Sequence, residues 1–310
     1  MLYKKKIDYF KKSWNIKKLN KNYLYKKGFF ISDTEIRKEL KKFLKIYKNR
    51  PIKSNKFGIQ FPHMFASYVI LKKIKPKFVV ESGVYKGQST WLIERVLPKA
   101  KLLCLDPDLN NRKYISKKAK YSKIDFKDHD FSNIPENSLV FFDDHQHCMD
   151  RLIQAKWLGF KHIIFEDNYP WPQGDFYTLK KVILGTGFTR PRQKLKFFKI
   201  MRILKKIFDE LKKIKKNYKY FIPMQKISDW YLDEKKPNTN DFKLLNKNID
   251  IYFEFPPLFK LKKTAWGEKW SSAIPTKKPL LKDKEKNNLK INENELNSYN
   301  WICYIRFKKL

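Results

Sequence analysis

Apolar residues along this chain change their rhythm twice. Ile36, Leu40, Phe43, Leu44 and Tyr47 recur at three- and four-residue spacing, the period of a helix with one buried face. Asp33 is expected to cap it. A loop over 51–61 follows, and Pro62 suits the first turn of a second helix running to about Lys73. From residue 78 the pattern becomes short, unbroken apolar runs at 78–80, 101–105, 124–126, 139–142 and 162–165. Runs of that length read as buried strands, with helix-like stretches at 89–96 and 148–158 between them. The alternation predicts an α/β fold with a parallel sheet and crossover helices.

Past Pro170 the regularity lapses. Phe197, Ile200, Leu204, Ile207, Leu211 and Ile214 form a narrow helical seam among lysines. It suits a helix packed on the domain or on a second copy of the chain, or a basic helix on a membrane surface. Residues 233–240 read as a linker, 249–255 and 301–307 as two more strands, and 282–294 as a polar loop. The chain therefore divides into a basic helical extension (1–50) and one large domain (51–310), with an insertion at 190–247 before the last two strands. That insertion is a candidate substrate lid.

Composition narrows the function classes. Of 310 residues, 42% are hydrophobic and 16% aromatic, enough for a sizeable core. The formal charge of +39 invites a polyanion partner such as RNA. The excess, however, is mostly Lys and is spread evenly from Lys4 to Lys309, as compositional bias at surface positions would leave it; a nucleic-acid groove would concentrate Arg. Three scattered cysteines, Cys104, Cys148 and Cys303, form neither a disulfide framework nor a thiolate metal site. No apolar run reaches membrane-span length and no signal peptide is evident, so a cytoplasmic location is expected.

The chemistry gathers at strand ends. Phe78-Val-Val-Glu-Ser-Gly-Val-Tyr-Lys-Gly87 runs from a buried strand into glycines, which permit a tight turn and close ligand approach. Asp106 ends the next strand about 20 residues on, where a nucleotide-binding fold places its ribose acceptor, and Asp128-His-Asp130 follows the third. The spacing is neither that of a P-loop nor a full G-x-G-x-x-G, because Tyr85 stands at the middle glycine position. Asp143, Asp144, Glu166 and Asp167 end two further strands. Carboxylates converging at one edge repel unless a cation joins them, and oxygen ligands favour Mg²⁺, Ca²⁺ or Mn²⁺ over zinc. Helix capping is the competing use for any one of these acids. His145 lies two residues beyond Asp143; if the chain stays extended there, both side chains share a face, and a side-chain pKa of about 6.5 suits a general base.

Glu81-Ser-Gly-Val-Tyr-Lys-Gly87 resembles motif I of class I S-adenosylmethionine-dependent methyltransferases, most closely the macrocin O-methyltransferase and cephalosporin-hydroxylase-like group. The likeness covers roughly residues 60 to 170. It implies a Rossmann-like, seven-stranded, mostly parallel sheet flanked by helices. It also implies S-adenosylmethionine as cofactor, with Glu81 serving the methionine end, Gly83, Tyr85 and Gly87 forming the turn beneath it, Asp106 on the ribose and Asp130 on the adenine. The metal, expected to be Mg²⁺, falls to Asp143, Glu166 and Asp167; a shifted register would substitute Asn168 for Glu166. His145 stands where related enzymes often carry an aspartate base, with Asp144 as the alternative proton acceptor. The implied activity is O-methylation of a small molecule or sugar. An RNA methyltransferase, or a non-catalytic cofactor-binding protein of surface-polysaccharide assembly, is the rival expectation.

Overall fold

The computed structural model describes residues 30–170, 176–183, 188–189, 231–232, 239–260, 278–296 and 301–308. Seven strands form one sheet: β1 (Phe78–Ser82), β2 (Lys101–Leu105), β3 (Lys120–Ser122), β4 (Ser138–Phe142), β5 (His162–Phe165), β6 (Ile249–Glu254) and β7 (Cys303–Phe307). Their spatial order is β3-β2-β1-β4-β5-β7-β6. The first five are parallel, and β7 runs antiparallel to both β5 and β6. The fold is thus Rossmann-like, mostly parallel, and its strand order reverses between β1 and β4. Such a switch point opens a crevice at the carboxyl ends of the strands. A two-residue ribbon, Phe188–Thr189 with Tyr231–Leu232, lies outside this sheet.

Alternate residues of each strand feed two separate cores, as a period of two requires. Val79, Cys104, Leu139, Phe141, Ile164 and Tyr304 face one layer of helices, α1 (Asp33–Tyr47), α2 (Phe61–Ile74) and α3 (Gln88–Val96). Val80, Leu105, Val140, Phe142, Ile163 and Phe165 face the other, α4 (Cys148–Trp157), α5 (Leu179–Ile183) and α6 (Thr239–Asn248). Helix α2 is buried from Phe61 to Leu71, which explains its lack of an apolar stripe. Helix α1 shows the expected face: Ile36, Leu40, Phe43 and Tyr47 are all buried in the core of the main domain. Glu295 then ties the end of α1 to the short helix α7 (Glu293–Leu296), accepting from the Tyr47 hydroxyl and, at 2.9 Å, from Arg50 Nη2.

Several boundaries move. Ser32, not Asp33, caps α1 through a reciprocal box in which Glu35 N donates to Ser32 Oγ (3.2 Å) and Ser32 N donates to Glu35 Oε2 (2.9 Å). Residues 124–126 are not a strand: Ile124 is exposed, while Phe126 is buried in a 3₁₀ turn, Phe126–Asp128. The real edge strand is the more polar Lys120–Ser122. The polar loop at 282–294 holds two 3₁₀ turns and the start of α7. Residues 1–29 of the basic extension, the 197–214 seam and residues 233–238 of the linker lie outside the described residues. Among the described residues, no helix is long and apolar enough to cross a membrane.

Phe43 packs on Tyr47, Phe61, Phe65 and Tyr68 with ring centroids 5.3–5.5 Å apart. Phe43→Ala is therefore expected to cost about 3–5 kcal/mol by urea denaturation, and Ser32→Ala about 1 kcal/mol. Losses below about 1 kcal/mol for Phe43→Ala would show that α1 is not part of the cooperative core.

Candidate functional site

Strand pairing sets Gly83, Asp143 and Glu166 at one level, because Ser82 pairs with Phe142 and Phe142 with Phe165. Three backbone hydrogen bonds continue the ladder past the strands: Gly83 N donates to Leu105 O (2.9 Å), Asp143 N to Ser82 O (2.7 Å) and Glu166 N to Phe142 O (3.0 Å). The glycine turn and the acidic ends are thus fixed side by side at the switch point. Gly83 has φ +96°, and a Cβ there would lie 2.0 Å from the Asp143 carbonyl oxygen. Gly87, φ +85°, opens α3 as its N-cap, and a Cβ there would lie 2.4 Å from Tyr114 O. Tyr85 also takes a left-handed φ of 47°, without glycine's freedom.

The acid after β2 is engaged with the glycine turn. Asp106 Oδ2 accepts from the N–H groups of Val84 (2.8 Å) and Tyr85 (3.0 Å), and its Oδ1 from Asp108 N (2.8 Å). It braces the glycine turn from below. Glu81 continues the face of Val79 and is fully buried, accepting from Thr90 Oγ1 (2.6 Å) and Cys104 Sγ (3.2 Å). Burial pushes its carboxyl up to about 7; Ser89, Thr90 and Cys104 pull it down, and the charge of Asp106 adds to the rise. Cys104 is the inert buried thiol expected of a strand residue, its pKa raised by burial and by Glu81. Asp130 is exposed and closes a local turn by accepting from Ser132 N (2.9 Å).

The four acids after β4 and β5 separate into different roles. Asp143, His145 and Asp167 each bring one ligand atom within 4.8 Å of the others. Burial, then the charges of Glu166 and Asp167, hold the Asp143 carboxyl well above the usual range. Asp144 instead accepts from Ser82 Oγ (2.7 Å) and pairs with Arg151 Nη2 (2.8 Å). Arg151 also grips Asp125 with two bonds of 2.8 Å. Asp144 is thereby turned from the cluster into a brace joining the ends of β1 and β4 to α4.

Glu166 continues the face of Ile164, toward α2, and its Oε1 is hydrogen-bonded to His63 Nδ1. Glu166, Asp167 and His63 form a second group of close ligand atoms that shares Asp167 with the first. Glu166 and Asp167 remain in contact with each other: burial, then the charge and side-chain hydrogen bond of Asp167, hold the Glu166 carboxyl well above the usual range. Asn168 is committed elsewhere: its Nδ2 donates to Tyr252 Oη (2.8 Å) and its Oδ1 accepts from Lys180 N (2.8 Å).

His145 departs from the extended chain expected of it. Its φ of +52° turns the backbone, yet the ring still reaches the cluster, with Nε2 3.5 Å from Asp167 Oδ2. The ring is about half exposed and packs edge-on against Phe176 at 5.5 Å. Asp143, Asp144, His145, Gln146, Asp167 and Phe176 line a small cleft there. His147 caps α4, Nδ1 accepting from Asp150 N (3.2 Å). His162 begins β5 beside Tyr304 Oη (2.7 Å), its pKa pushed down to about 4, first by burial. His63 gave no signal in the sequence: it sits within a helix that is apolar all round, and its partner is 103 residues away.

No family model and no curated protein matches the chain. Among solved structures it is similar to the apo form of CmcI, at 16% identity over 46% of this chain and 69% of that one, with a TM-score of 0.35. A Mg-SAM structure of CmcI gives 18%, 38%, 58% and 0.31. The Bacillus cereus O-methyltransferase in complex with SAH gives 16%, 45%, 68% and 0.28. At TM-scores this low the likeness carries no weight on activity. Strand order and the site's own residues carry the reading that follows.

Two measurements test this geometry. Gly83→Ala forces a Cβ into a carbonyl at a left-handed position, so it should lose several kcal/mol of stability or displace the β4 exit; unchanged melting would contradict the close contact. Glu81 titrates near 7 when folded and near 4.5 when unfolded. Its raised pKa therefore favours the folded state fully below about pH 4.5, and that contribution falls away as pH rises toward 7. Glu81→Gln should remove up to about 3 kcal/mol of that decline, measured as the difference between the two proteins' urea stabilities at pH 4.5 and 7.5.

Proposed function

We propose that this protein is an S-adenosylmethionine-dependent O-methyltransferase assisted by a divalent cation. The observation that carries the reading is the state of the glycine turn. Its Val84 and Tyr85 N–H groups, which in a phosphate-binding turn point at the ligand, are both taken by the Asp106 carboxylate. A pyrophosphate would meet an anion there instead of free donors. The turn suits a cofactor with no phosphate at this point, and S-adenosylmethionine is a nucleoside of that kind. Gly83 and Gly87 let the turn close against the Asp143 and Tyr114 carbonyls, Glu81 and Asp106 hold its shape, and Asp130, exposed after β3, is assigned to the nucleoside's base.

The donor set fits a hard divalent cation. Asp143 and Asp167 are close carboxylates lining the cleft, and Mg²⁺ is commonly held by one or two such groups together with substrate and water. Glu166 has one oxygen committed to His63 and is assigned to the surroundings of the ion. When bound, the cation would acidify an acceptor hydroxyl and the cofactor would supply the methyl group. The chain's own residues align and move the proton. Asp167 orients His145 through its Nε2 side, and the half-exposed ring accepts the acceptor's proton at Nδ1. Asp144, paired with Arg151, holds the loop carrying both and takes no proton.

The acceptor is a hydroxyl-bearing small molecule or sugar, and the protein works in a soluble compartment on this reading. The clustering of His145 with Asp143 and Asp167 favours one second reading, in which His145 Nε2 is the third ligand. His145→Ala separates them. As base, its loss should cut turnover by ~10²–10⁴ with Mn²⁺ and S-adenosylhomocysteine affinities nearly unchanged. As ligand, its loss should weaken Mn²⁺ binding as well.

The reading as a whole is tested by calorimetry with S-adenosylhomocysteine, NAD and ATP, followed by transfer of labelled methyl to a panel of hydroxyl acceptors. Micromolar binding of the first alone is expected. Tight binding of NAD or ATP instead would overturn the cofactor assignment. Binding without transfer to any acceptor would favour a non-catalytic role, and salt-sensitive transfer to RNA would favour the rival acceptor.

A further inference from the structure

His63 lies on α2, an element outside the strand-end loops that carry the acids. Both of its ring nitrogens are engaged. Trp301 N donates to Nε2 at 3.2 Å, so Nε2 must be the unprotonated nitrogen of a neutral imidazole. The proton then sits on Nδ1, where it is given to Glu166 Oε1. His63 and Glu166 are both buried, with side chains 9% and 6% exposed. A metal at Nδ1 would need the opposite tautomer and would set an N–H against the Trp301 N–H. The second cluster of ligand atoms, His63 with Glu166 and Asp167, is thus a hydrogen-bonded support and not a second ion site.

We infer that His63 is a positioning residue: a neutral imidazole of fixed tautomer that holds Glu166 on the α2 side and so keeps Asp143 and Asp167 as the cation pair. This deepens the proposed function and rests on its cation site. Without the Nδ1 donor, Glu166 would be a buried carboxylate beside two others with its firmest partner gone. It would then compete for the cation or drive Asp167 aside. Outer partners of this kind orient metal ligands, and their loss typically weakens metal affinity 10- to 100-fold. The arrangement also joins distant parts of the chain, since α2 and the lead into β7 are both needed to set one proton.

The test uses Mn²⁺ alone as probe, titrated by calorimetry into the full chain carrying His63→Leu, His63→Asn or His63→Gln. An Asn amide mimics the Nδ1–H donor, whereas Gln reaches toward the Nε2 position. His63→Asn should keep Mn²⁺ affinity within about threefold, and His63→Leu and His63→Gln should lose 10- to 100-fold. Should His63→Leu fail to fold, the Asn and Gln pair decides alone. In a Glu166→Gln background the His63 substitutions should no longer differ. Equal Mn²⁺ affinity in all three, whatever their melting temperatures, would overturn the inference. Ring-nitrogen spectra of selectively labelled wild-type protein give an ion-free readout: an Nδ1-protonated tautomer supports the inference, and an Nε2-protonated one overturns it. A wild-type protein that binds no Mn²⁺ would overturn the cation site itself, with the tautomer still deciding whether His63 holds Glu166.

Discussion

The exits of β1 and β4 touch so closely that no side chain fits between them. Gly83 presents bare backbone to the Asp143 carbonyl, and the space a Cβ would need is already filled. From that contact follows the arrangement of the whole edge. The glycine turn and Asp143 become one rigid unit, so whatever rests on the turn lies beside Asp143. Strand order makes the contact possible by setting β1 against β4 at the point where the sheet reverses. Backbone hydrogen bonds across the Leu105, Ser82 and Phe142 carbonyls then hold the three exits level.

Around that contact the buried charges are managed one by one. Asp106 spends its charge on the turn's N–H groups and Asp144 on Arg151, while Glu166, hydrogen-bonded to His63, is pushed up by burial and by Asp167. Glu81 is pushed toward neutrality by burial. Asp143 and Asp167 bring carboxylate oxygens close together on the cleft, and carboxylates so placed favour a cation. The acids therefore do not act as one four-carboxylate cluster. Their braces point outward into both helical layers, and the pair that remains faces the cleft.

Much of this was legible in the sequence, for physical reasons. Strands β1, β2, β4 and β5 are short apolar runs ending in Gly or Asp, and a doubly buried parallel strand can hardly look otherwise. The sheet-edge location of Gly83, Asp143 and Asp167 followed from those ends. Strand β3 was not legible, because an edge strand such as Lys120–Ser122 needs few apolar residues while the nearby Phe126 anchors a turn. That Glu166 turns toward one helical layer was present in the period of two, but only the burial of Ile164 shows which layer it is. His63 and the Arg151 brace depend on contacts across 103 and 26 residues, which no local pattern records. The capping of α1 was readable as Ser32 followed three residues on by Glu35.

The central claim is that one strand-end edge holds a phosphate-free nucleoside cofactor on the glycine turn and a cation on the adjoining carboxylates. Crystals grown with S-adenosylhomocysteine and Mn²⁺, measured at the manganese absorption edge, test it most directly. The account predicts cofactor density over Gly83 and Gly87, together with an anomalous peak bonded to Asp143 and Asp167 and separated from His63. A peak coordinated by His63 Nδ1, or cofactor density away from the glycine turn, would contradict it.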